Sequence, residues 1–401
     1  MSVTVDSLRS PASEYTGPPR DWYFGDEWFQ RDLEAVFKPR WLVAGHVDEL
    51  DAQGSYGYLT YELGDEKIFI RRDEDGRLRA YHNFCPHRGA TLCEGRTGAA
   101  PTKRVVCPYH LWTYELTEGA AISTNYMHDD FDQSQVRLSP VHVDEWYGFI
   151  FVCLAESPRE TLAEHMAAAS FGGWDFGGMK LAAYKSHMIG SNWKIVVENN
   201  LECYHCASNH PELCEVYDWK EITTQRSDFD SYVERRGNGL EVWNVQARSP
   251  YSLNGERVCA LPTPRVNPGE DYDEEQAAIV AFEPGAALHV ARDAAWLFLP
   301  RAIGPEQTEL RQYWLVNREA EEGRDYDVET VMAFWDGTMQ QDLRICEWVQ
   351  TGMKDPAYKP GVLNRVHQMG QAGFFSWYTT QIAERFPEIV PDPAALVPGR
   401  S

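Results

Sequence analysis

Two short motifs decide how this chain folds: CPHRG at residues 85–89 and CPYH at residues 107–110. The pattern is C-x-H, a gap of 19 residues, and then C-x2-H, so each motif supplies one cysteine and one histidine from a hairpin-like loop. Thiolates suit ferric iron that is bridged by sulfide, and neutral imidazoles on a second iron reduce the negative charge and raise the reduction potential. The motifs therefore predict a [2Fe–2S] cluster with four ligands, which are Cys85, His87, Cys107 and His110.

A zinc site with two cysteines and two histidines is the alternative for these motifs. Zinc fingers usually pair cysteine with cysteine and histidine with histidine, whereas here each loop carries one of each. Pro86 and Pro108 lack backbone N–H donors and stiffen the two loops, which would shape the pocket of a cluster. Gly89 either lets the backbone approach the cluster closely or serves as a plain turn residue.

A third segment, ENNLECYHCASNHP at residues 198–211, carries two histidines that are five positions apart. On a straight helix, His205 and His210 would diverge by roughly 140° and could not meet on one metal ion. Pro211 disfavours helical backbone at His210, so the chain can bend there and bring the second imidazole round. The alternative is that His205 and His210 are ordinary surface or core residues. A candidate third ligand elsewhere in the sequence favours the metal site.

Asp342 is that predicted third ligand, because it lies on the apolar face of a helix predicted over residues 327–353. The other members of this face fall at three- and four-residue steps, and they are Trp335, Met339, Cys346 and Val349. A carboxylate on such a face is costly unless it is paired or bound to metal. A buried ion pair with Arg344 or Arg365 is the alternative for Asp342.

His205, His210 and Asp342 together would form a triad of two histidines and one carboxylate. Such a triad holds Fe(II) and leaves coordination positions open for O2 and substrate. The sequence therefore predicts a mononuclear iron site in addition to the cluster.

Glu202 lies three positions before His205, one turn away on the same face of the predicted helix. A carboxylate there can orient His205 through its outer ring nitrogen, and it can also accept a hydrogen bond from a cluster histidine across a subunit boundary. A solvated helix acid is the alternative for Glu202. Cys203 and Cys206 imitate a redox pair, but we interpret both as packing residues because the helix is already committed to iron.

The remaining patterns predict an α+β chain. Residues 26–37 show helical spacing of apolar side chains, and residues 41–152 show short β-rich runs such as 67–70 and 148–152. Beyond residue 157, helical signals strengthen over residues 192–206, and a strand pair is predicted at residues 295–299 and 310–316.

We therefore expect an N-terminal helix within residues 1–40 that packs on the catalytic domain. A β-rich cluster domain over residues 41–157 and a catalytic iron domain over residues 158–401 follow it. Residues 218–284 are polar and weakly periodic, and they form either strands with long loops or a mobile cover over a site.

Composition narrows the class of protein. The 401 residues exceed what a lone electron carrier needs, and the formal net charge of −24 disfavours nucleic acid and anionic membranes as partners. No run of about 18 apolar residues occurs and the N-terminal residues lack the features of a secretory signal, so we expect a cytoplasmic protein without a membrane span. Nine cysteines, an odd number, indicate metal ligation rather than a disulfide framework.

Over nearly its whole length the sequence resembles Rieske non-haem iron oxygenases, specifically their oxygenase (alpha) component. CPHRG and CPYHLW are similar to the family's cluster loops, ENNLECYHCASNHPEL to its iron helix, and QQDLRICEWVQTG to the helix with its carboxylate ligand. Within the family, Glu202 and the motif ECYHC at residues 202–206 most resemble the corresponding segment of glycine betaine, choline and related quaternary-amine monooxygenases. Two features depart from the pattern: Leu111, where a small residue is commoner, and residues 218–284.

The resemblance implies a β-rich Rieske domain joined to a helix-grip catalytic domain, an antiparallel sheet with helices, in a ring-like homotrimer. It also implies that electrons pass from a separate flavin or ferredoxin-type reductase to the cluster, and then to the iron of a neighbouring subunit. The reductase, which would use NAD(P)H, is expected to be a separate protein because this chain shows no G-x-G-x-x-G dinucleotide fingerprint of its own.

Oxidative N-demethylation of a small quaternary amine such as glycine betaine is the function that the resemblance favours. Hydroxylation of an aromatic ring is the alternative, and an electron-transfer protein without oxygenase activity is a third hypothesis. A quaternary ammonium demands a cage of aromatic rings. The candidates for that cage are Trp296, Trp314, Phe374, Phe375, Trp377 and Tyr378. The sequence singles out no basic residue as the partner of a substrate carboxylate.

Overall fold

The β-rich stretch that follows residue 41 forms a sheet of seven antiparallel strands in the computed structural model, which describes residues 17–167, 173–218, 240–267, 275–364 and 367–389. The strands of this stretch, in chain order, are β1 (Leu42–His46), β2 (Gly57–Leu63), β3 (Glu66–Arg72), β4 (Leu78–His82), β5 (Thr97–Ala99), β6 (Val105–Val106), β7 (Thr113–Tyr114), β8 (Ala121–Ser123), β9 (Pro140–Trp146) and β10 (Phe149–Cys153). The large sheet has the order β1-β10-β9-β4-β3-β2-β5, and β6, β7 and β8 form a small sheet of their own.

Both apolar runs that were predicted as strands lie in the large sheet. Residues 67–70 are part of β3, and residues 149–152 are part of β10. Ile68, Phe69 and Ile70 are all fully buried, which explains why β3 reads as a continuous apolar run instead of an alternating one. The prediction of strands at these positions is confirmed.

A second antiparallel sheet, of six strands, occupies the later part of the chain. Its strands are β11 (Met179–Ile189), β12 (Leu240–Gln246), β13 (Gln276–Phe282), β14 (Ala286–Val290), β15 (Ala295–Gly304) and β16 (Gln307–Asn317). Their order is β11-β16-β15-β14-β13-β12. The predicted strand pair is confirmed and extends further than predicted, since β15 and β16 pair from Ala295 with Leu315 to Gly304 with Gln307.

The polar stretch over residues 218–284 contributes two strands to this sheet where the structure describes it. β12 and β13 pair antiparallel with each other, and β13 pairs with β14. Of the two alternatives, strands with loops therefore applies to these parts. The alternative of a mobile cover also included residues 219–239 and 268–274. These residues lie outside the described part of the chain.

The helices are α1 (Asp26–Asp32), α2 (Val47–Asp51), α3 (Leu162–Ala167), α4 (Trp193–Asn200), α5 (Cys206–Asn209), α6 (Pro211–Val216), α7 (Val328–Met353) and α8 (Met369–Arg385). Short 3-10 helices lie at Arg20–Tyr23, Gln133–Gln135 and Phe176–Gly178, and a π-helical turn at Leu33–Phe37 continues α1. Helices and antiparallel sheets together confirm the predicted α+β class. Within the described ranges, no helix combines the length and the apolar character that crossing a bilayer requires.

The chain divides into two units, Lys38–His165 and the combination of Met1–Phe37 with Met166–Ser401. In the larger unit, α1 is tied to two other helices through Asp32. The Asp32 carboxylate accepts hydrogen bonds from Tyr378 of α8 and from the Nε1–H of Trp193, and it pairs with Lys194 of α4. Asp32 and Lys194 are both fully buried, so each charge depends on the other for compensation.

The predicted helix over residues 327–353 is confirmed as α7, which Asp327 caps by accepting the N–H of Thr330. One member of its predicted apolar face is wrong. Val349 is 41% exposed, and Gln350 is buried in its place. The reason is the period of 3.6 residues per turn, because the buried face continues from Cys346 to Gln350 by a four-residue step while position 349 turns outward.

Candidate metal centres

The two cysteine-containing loops of the smaller unit are built alike. The N–H of Cys85 donates to the carbonyl of Ala90 at 2.8 Å, and the N–H of Cys107 donates to the carbonyl of Trp112 at 2.8 Å. Each cysteine is therefore bonded to the residue five positions later, which closes the loop on itself. The two motifs that looked similar in sequence have the same local backbone.

The equivalence extends to one backbone conformation. The N–H of Gly89 donates to the carbonyl of Cys85, and the N–H of Leu111 donates to the carbonyl of Cys107. Both residues have positive φ, 73° at Gly89 and 60° at Leu111. Glycine is the usual residue in this left-handed region because it has no Cβ. The positive φ explains why a small residue is commoner at position 111, and nothing in the structure explains the leucine.

The four predicted cluster ligands lie together at the tips of these loops. The rings of His87 and His110 have centroids 4.7 Å apart, and burial together with the neighbouring Cys85 thiol raises the pKa of the Cys107 thiol. Both cysteines are 1% exposed. The Nδ1 atoms of His87 and His110 are buried and have no hydrogen-bond partner among the described residues. Two buried sulfur atoms and two unpartnered imidazole nitrogens fit the donor set of a Rieske cluster.

Neighbouring side chains hold the ligands from the outside. Trp112 stacks on His87 with a centroid distance of 4.3 Å, and Tyr109 stacks on His110 at 3.8 Å. The hydroxyl of Tyr114 lies 3.0 Å from Sγ of Cys85. Trp112 and Tyr114 belong to the buried core of this unit, so the loops rest on a packed base.

In the larger unit, the predicted helix over residues 192–206 is interrupted. Helix α4 ends at Asn200, and residues 201–205 are irregular before α5 begins at Cys206. Consecutive asparagines at positions 199 and 200 are weak helix formers, because their side chains compete for backbone hydrogen bonds. The prediction that Glu202 and His205 share one helix is therefore wrong. The bend predicted at Pro211 is confirmed, since His210 has φ −130° and ψ 68° and α6 begins at Pro211.

These breaks bring His205 and His210 together on Asp342 of α7. Oδ1 of Asp342 lies 2.9 Å from Nε2 of His210 and 3.2 Å from Nε2 of His205. One ligand atom from each of the three residues lies within 4.8 Å of the other two, and Asp342 is 7% exposed. Two nitrogens and one carboxylate oxygen at this spacing fit a divalent iron.

Arg344, one of the two arginines proposed as an ion-pair partner of Asp342, does not pair with it. That side chain is exposed and lies over the ring of Trp348, 4.5 Å from its centroid. Arg365 lies outside the described residues.

The outer nitrogen of each histidine also has a partner. Nδ1 of His205 lies 2.8 Å from Oε1 of Glu202, and Nδ1 of His210 donates to Oε1 of Gln341. Gln341 in turn donates from Nε2 to Glu212 at 2.6 Å. Both imidazoles are thereby oriented with Nε2 toward Asp342. Sequence reasoning missed Gln341 and Glu212, and the only signal was that Gln341 adjoins Asp342.

Electrostatics at this point favour positive charge. Burial by itself lowers the pKa of His205, but hydrogen bonds and charge from Asp342 and Glu202 outweigh burial and raise it to about 10. A site that stabilises an extra proton on an imidazole also stabilises a divalent cation in its place.

A cavity opens beside these residues. Glu202, His205, His210 and Asp342 line it, together with three aromatic side chains, Tyr217, Phe282 and Trp335. Among the described residues that line it there is no lysine and no arginine. None of the six aromatic residues proposed for a cation cage lines this cavity, although all six are buried like the three rings that do.

Two family models match the chain. Residues 40–138 match the Rieske [2Fe-2S] domain, and residues 176–384 match the catalytic domain of the ring hydroxylating alpha subunit. The glycine betaine monooxygenase oxygenase subunit of Pseudomonas aeruginosa is 30% identical over 412 residues, covering 96% of this chain and 93% of that protein.

Two solved structures share the fold. One is a quaternary ammonium Rieske monooxygenase that was studied for carnitine oxidation and inter-subunit electron transfer; it has a TM-score of 0.73 and 21% identity, covering 95% of this chain and 99% of the other. The second is naphthalene 1,2-dioxygenase from Rhodococcus sp., with a TM-score of 0.68 and 17% identity, covering 92% and 95%.

The two family models and the full-length relative argue against an electron carrier without oxygenase activity. The catalytic model alone spans just over half of the chain. This chain belongs to the Rieske non-haem iron oxygenases, as an oxygenase (alpha) subunit with one Rieske [2Fe–2S] cluster and one mononuclear iron.

Proposed function

We propose that this oxygenase demethylates a small quaternary amine, with glycine betaine as the first choice of substrate. One oxygen atom of O2 enters an N-methyl C–H bond, and the other leaves as water with two electrons and two protons. The hydroxymethyl product then breaks its C–N bond and releases formaldehyde, a proton and the tertiary amine.

The composition of the cavity wall is the observation that carries this proposal. Glu202, a carboxylate that is not an iron ligand, lines a space that is bordered on other sides by aromatic rings, with no lysine or arginine among the described lining residues. A quaternary ammonium accepts no hydrogen bonds, so it is recognised by negative charge and by ring faces. Tyr217 and Phe282 are the rings to which we assign the cation.

The relatives support the same class of substrate. The Pseudomonas aeruginosa protein, which is named for glycine betaine, is similar over nearly the full length of both chains. The fold is shared with an enzyme of quaternary ammonium oxidation and also with naphthalene 1,2-dioxygenase, so the fold does not choose between the substrates. The cavity wall and the full-length relative favour the amine.

His205, His210 and Asp342 would hold the mononuclear iron, which supplies activation of O2 when it is bound. Glu202 and Gln341 hold the two imidazoles with Nε2 toward Asp342 and accept the protons on Nδ1. Because three ligands converge among the described residues, a bound iron would keep positions for O2 and for the approach of substrate. The [2Fe–2S] cluster would be held by Cys85, His87, Cys107 and His110.

For the assembly, we propose a homotrimer in which the cluster of one subunit serves the iron of its neighbour. The cluster domain would span residues 41–157 and the catalytic domain residues 158–401. A flavin or ferredoxin-type reductase would supply electrons from NAD(P)H. Support comes from the related quaternary ammonium monooxygenase, for which inter-subunit electron transfer was described. Location in the cytoplasm stays a prediction.

The test is a product screen with a surrogate reductase and NAD(P)H. Glycine betaine, carnitine, choline and a set of aromatic acids are offered separately, and formaldehyde, hydroxylated products and O2 consumption are measured. We expect one formaldehyde per O2 from a quaternary amine. Coupled hydroxylation of an aromatic acid, without formaldehyde from any amine, would establish the alternative function instead.

A matched ligand tests recognition of the cation separately from turnover. In 3,3-dimethylbutanoate, carbon replaces the quaternary nitrogen of glycine betaine while the shape and the carboxylate are kept. We expect it to bind more weakly by roughly 0.5–2 kcal/mol, the usual size of a cation–π attraction. Equal binding of the two ligands would show that the aromatic rings do not recognise the positive charge.

A further inference from the structure

His289 is a buried histidine in the wall of the catalytic cavity that the proposed mechanism does not use. It lies on strand β14, is 7% exposed, and lines the same cavity as the three iron-binding side chains. Neither of its ring nitrogens has a hydrogen-bond partner among the described residues. Buried polar atoms are rarely left unpaired, so both nitrogens call for a partner that the described residues do not supply.

Trp335 also has a buried ring nitrogen without a partner among the described residues, and it is a direct neighbour of His289. Its ring centroid is 4.8 Å from that of His289, it lines the same cavity, and its Nε1 is buried with no partner in the described part of the chain. Trp296 stacks on Trp335 at 4.2 Å, but its own Nε1–H donates to Gln312 at 3.0 Å. Of these two stacked tryptophans, Trp296 has a partner for its N–H and Trp335 has none in the described part of the chain.

The protonation state of His289 decides what this pair can bind. Burial lowers the pKa of His289 to about 3, so the ring is neutral at ordinary pH and offers one N–H donor and one lone pair. The indole of Trp335 is a donor only. Two neighbouring side chains that line the cavity thus carry two N–H donors without a partner among the described residues.

A betaine needs such donors because its second end is a carboxylate. The described lining residues include no arginine or lysine to pair with it, and Glu202, which is not an iron ligand, would repel it. Neutral N–H groups remain as the partners for an anionic oxygen. We propose that His289 and Trp335 form the subsite that binds the carboxylate end of the substrate, an inference that rests on the proposed function.

Equilibrium binding to the metal-loaded protein without reductase tests this subsite. Glycine betaine and choline are titrated by calorimetry into the wild type and into the variants His289→Leu and Trp335→Phe. Choline has the same trimethylammonium head but a hydroxyl in place of the carboxylate. Since a hydrogen bond to a charged group is at stake, we expect each variant to weaken betaine binding by about tenfold to a hundredfold and choline binding by about twofold at most.

Two further variants control for packing. Trp314→Phe removes a buried indole N–H that is also unpartnered among the described residues, but Trp314 does not line the cavity, so betaine binding should not change. His289→Gln keeps an N–H donor and should recover part of the affinity that His289→Leu loses. Cluster absorbance and Tm establish that each variant is folded, and if His289→Leu does not fold, His289→Gln and Trp335→Phe decide.

Steady-state kinetics give a second readout. A group that only anchors the carboxylate contributes equally to ground state and transition state, so KM for betaine should rise while kcat stays nearly constant. Betaine binding by His289→Leu and Trp335→Phe equal to that by Trp314→Phe would overturn the inference and leave both groups to bind water only. Wild-type protein that binds no betaine, carnitine or choline overturns the proposed function itself, so the two failures are distinguishable.

Discussion

Gln341 holds the ring of His210 through a hydrogen bond from Nδ1 to its side-chain carbonyl, one position before Asp342 on the same helix. Because its amide nitrogen also donates to Glu212, the carbonyl cannot turn away from the histidine without losing a second bond. Helix α7 therefore supplies both the carboxylate and the group that orients its histidine partner.

Replacing Gln341 by leucine should weaken iron binding by roughly 10- to 100-fold, because His210 loses the acceptor that fixes its orientation. Iron retained per chain after dialysis against a chelator is the measurement. Gln340→Leu is the matched control, since this neighbouring glutamine is exposed and contacts His187 instead. Equal iron retention in both variants would show that the hydrogen bond does not support the site.

Glu202→Gln should leave both metals largely bound, because the glutamine carbonyl can still accept the hydrogen bond from Nδ1 of His205. The lost negative charge should instead slow electron transfer from the cluster to the iron. Single-turnover rates with a pre-reduced cluster measure this step. Rates that match the wild type would reduce Glu202 to an ordinary acid beside the site.

Mixed oligomers test whether electrons cross between subunits. Cys107→Ser should abolish the cluster, and Asp342→Ala should keep the cluster but lose the mononuclear iron, so each variant alone should be inactive. Random trimers of the two, with one direction of transfer, should recover about a quarter of wild-type turnover. No recovery in mixed oligomers whose subunit exchange is verified would contradict transfer between subunits.

Leu111→Gly should raise the stability of the cluster unit by up to about 1 kcal/mol, because glycine adopts positive φ without the clash of a Cβ. Loss of the visible cluster absorbance on heating measures the effect. Leu111→Ala keeps the Cβ and should give no such gain. Leu111 is 55% exposed, so neither variant removes much buried surface. A gain of the same size from alanine would assign the effect to the exposed side chain.

Acid should destabilise the wild type more than His289→Gln. The pKa of His289 is lowered by burial to about 3, below its ordinary value near 6.5, so the unfolded chain binds a proton between these pH values and the folded chain does not. The stability from this group is complete above pH 6.5 and is lost as pH falls toward 3, by about 2 kcal/mol at pH 5. Urea midpoints of both proteins at pH 7 and pH 5 should diverge accordingly. Parallel shifts would mean that His289 is hydrated in the folded state.

The sequence by itself determined the features that depend on neighbouring residues. The similar cysteine loops, the bend before Pro211, helix α7 and the strand pair β15 and β16 follow from turn residues, proline and apolar periodicity. Even the proposal of Asp342 as a ligand needed only its place on an apolar helix face. The prediction from the sequence was wrong at residues 192–206, because the helical spacing of side chains continues in the sequence after the helix has ended at Asn200.

Only the tertiary structure decided which distant side chains meet. His210 and Asp342 are 132 residues apart, and Glu212 and His289 carry no local signal of their positions. The six aromatic residues proposed for a cation cage do not line the cavity, whereas Tyr217, Phe282 and Trp335, which are also buried, do. Sequence patterns report whether a side chain is apolar and on which face it lies. Whether that face borders the core or a cavity is set by how sheet and helices pack, since a buried ring and a cavity-lining ring leave the same periodic pattern.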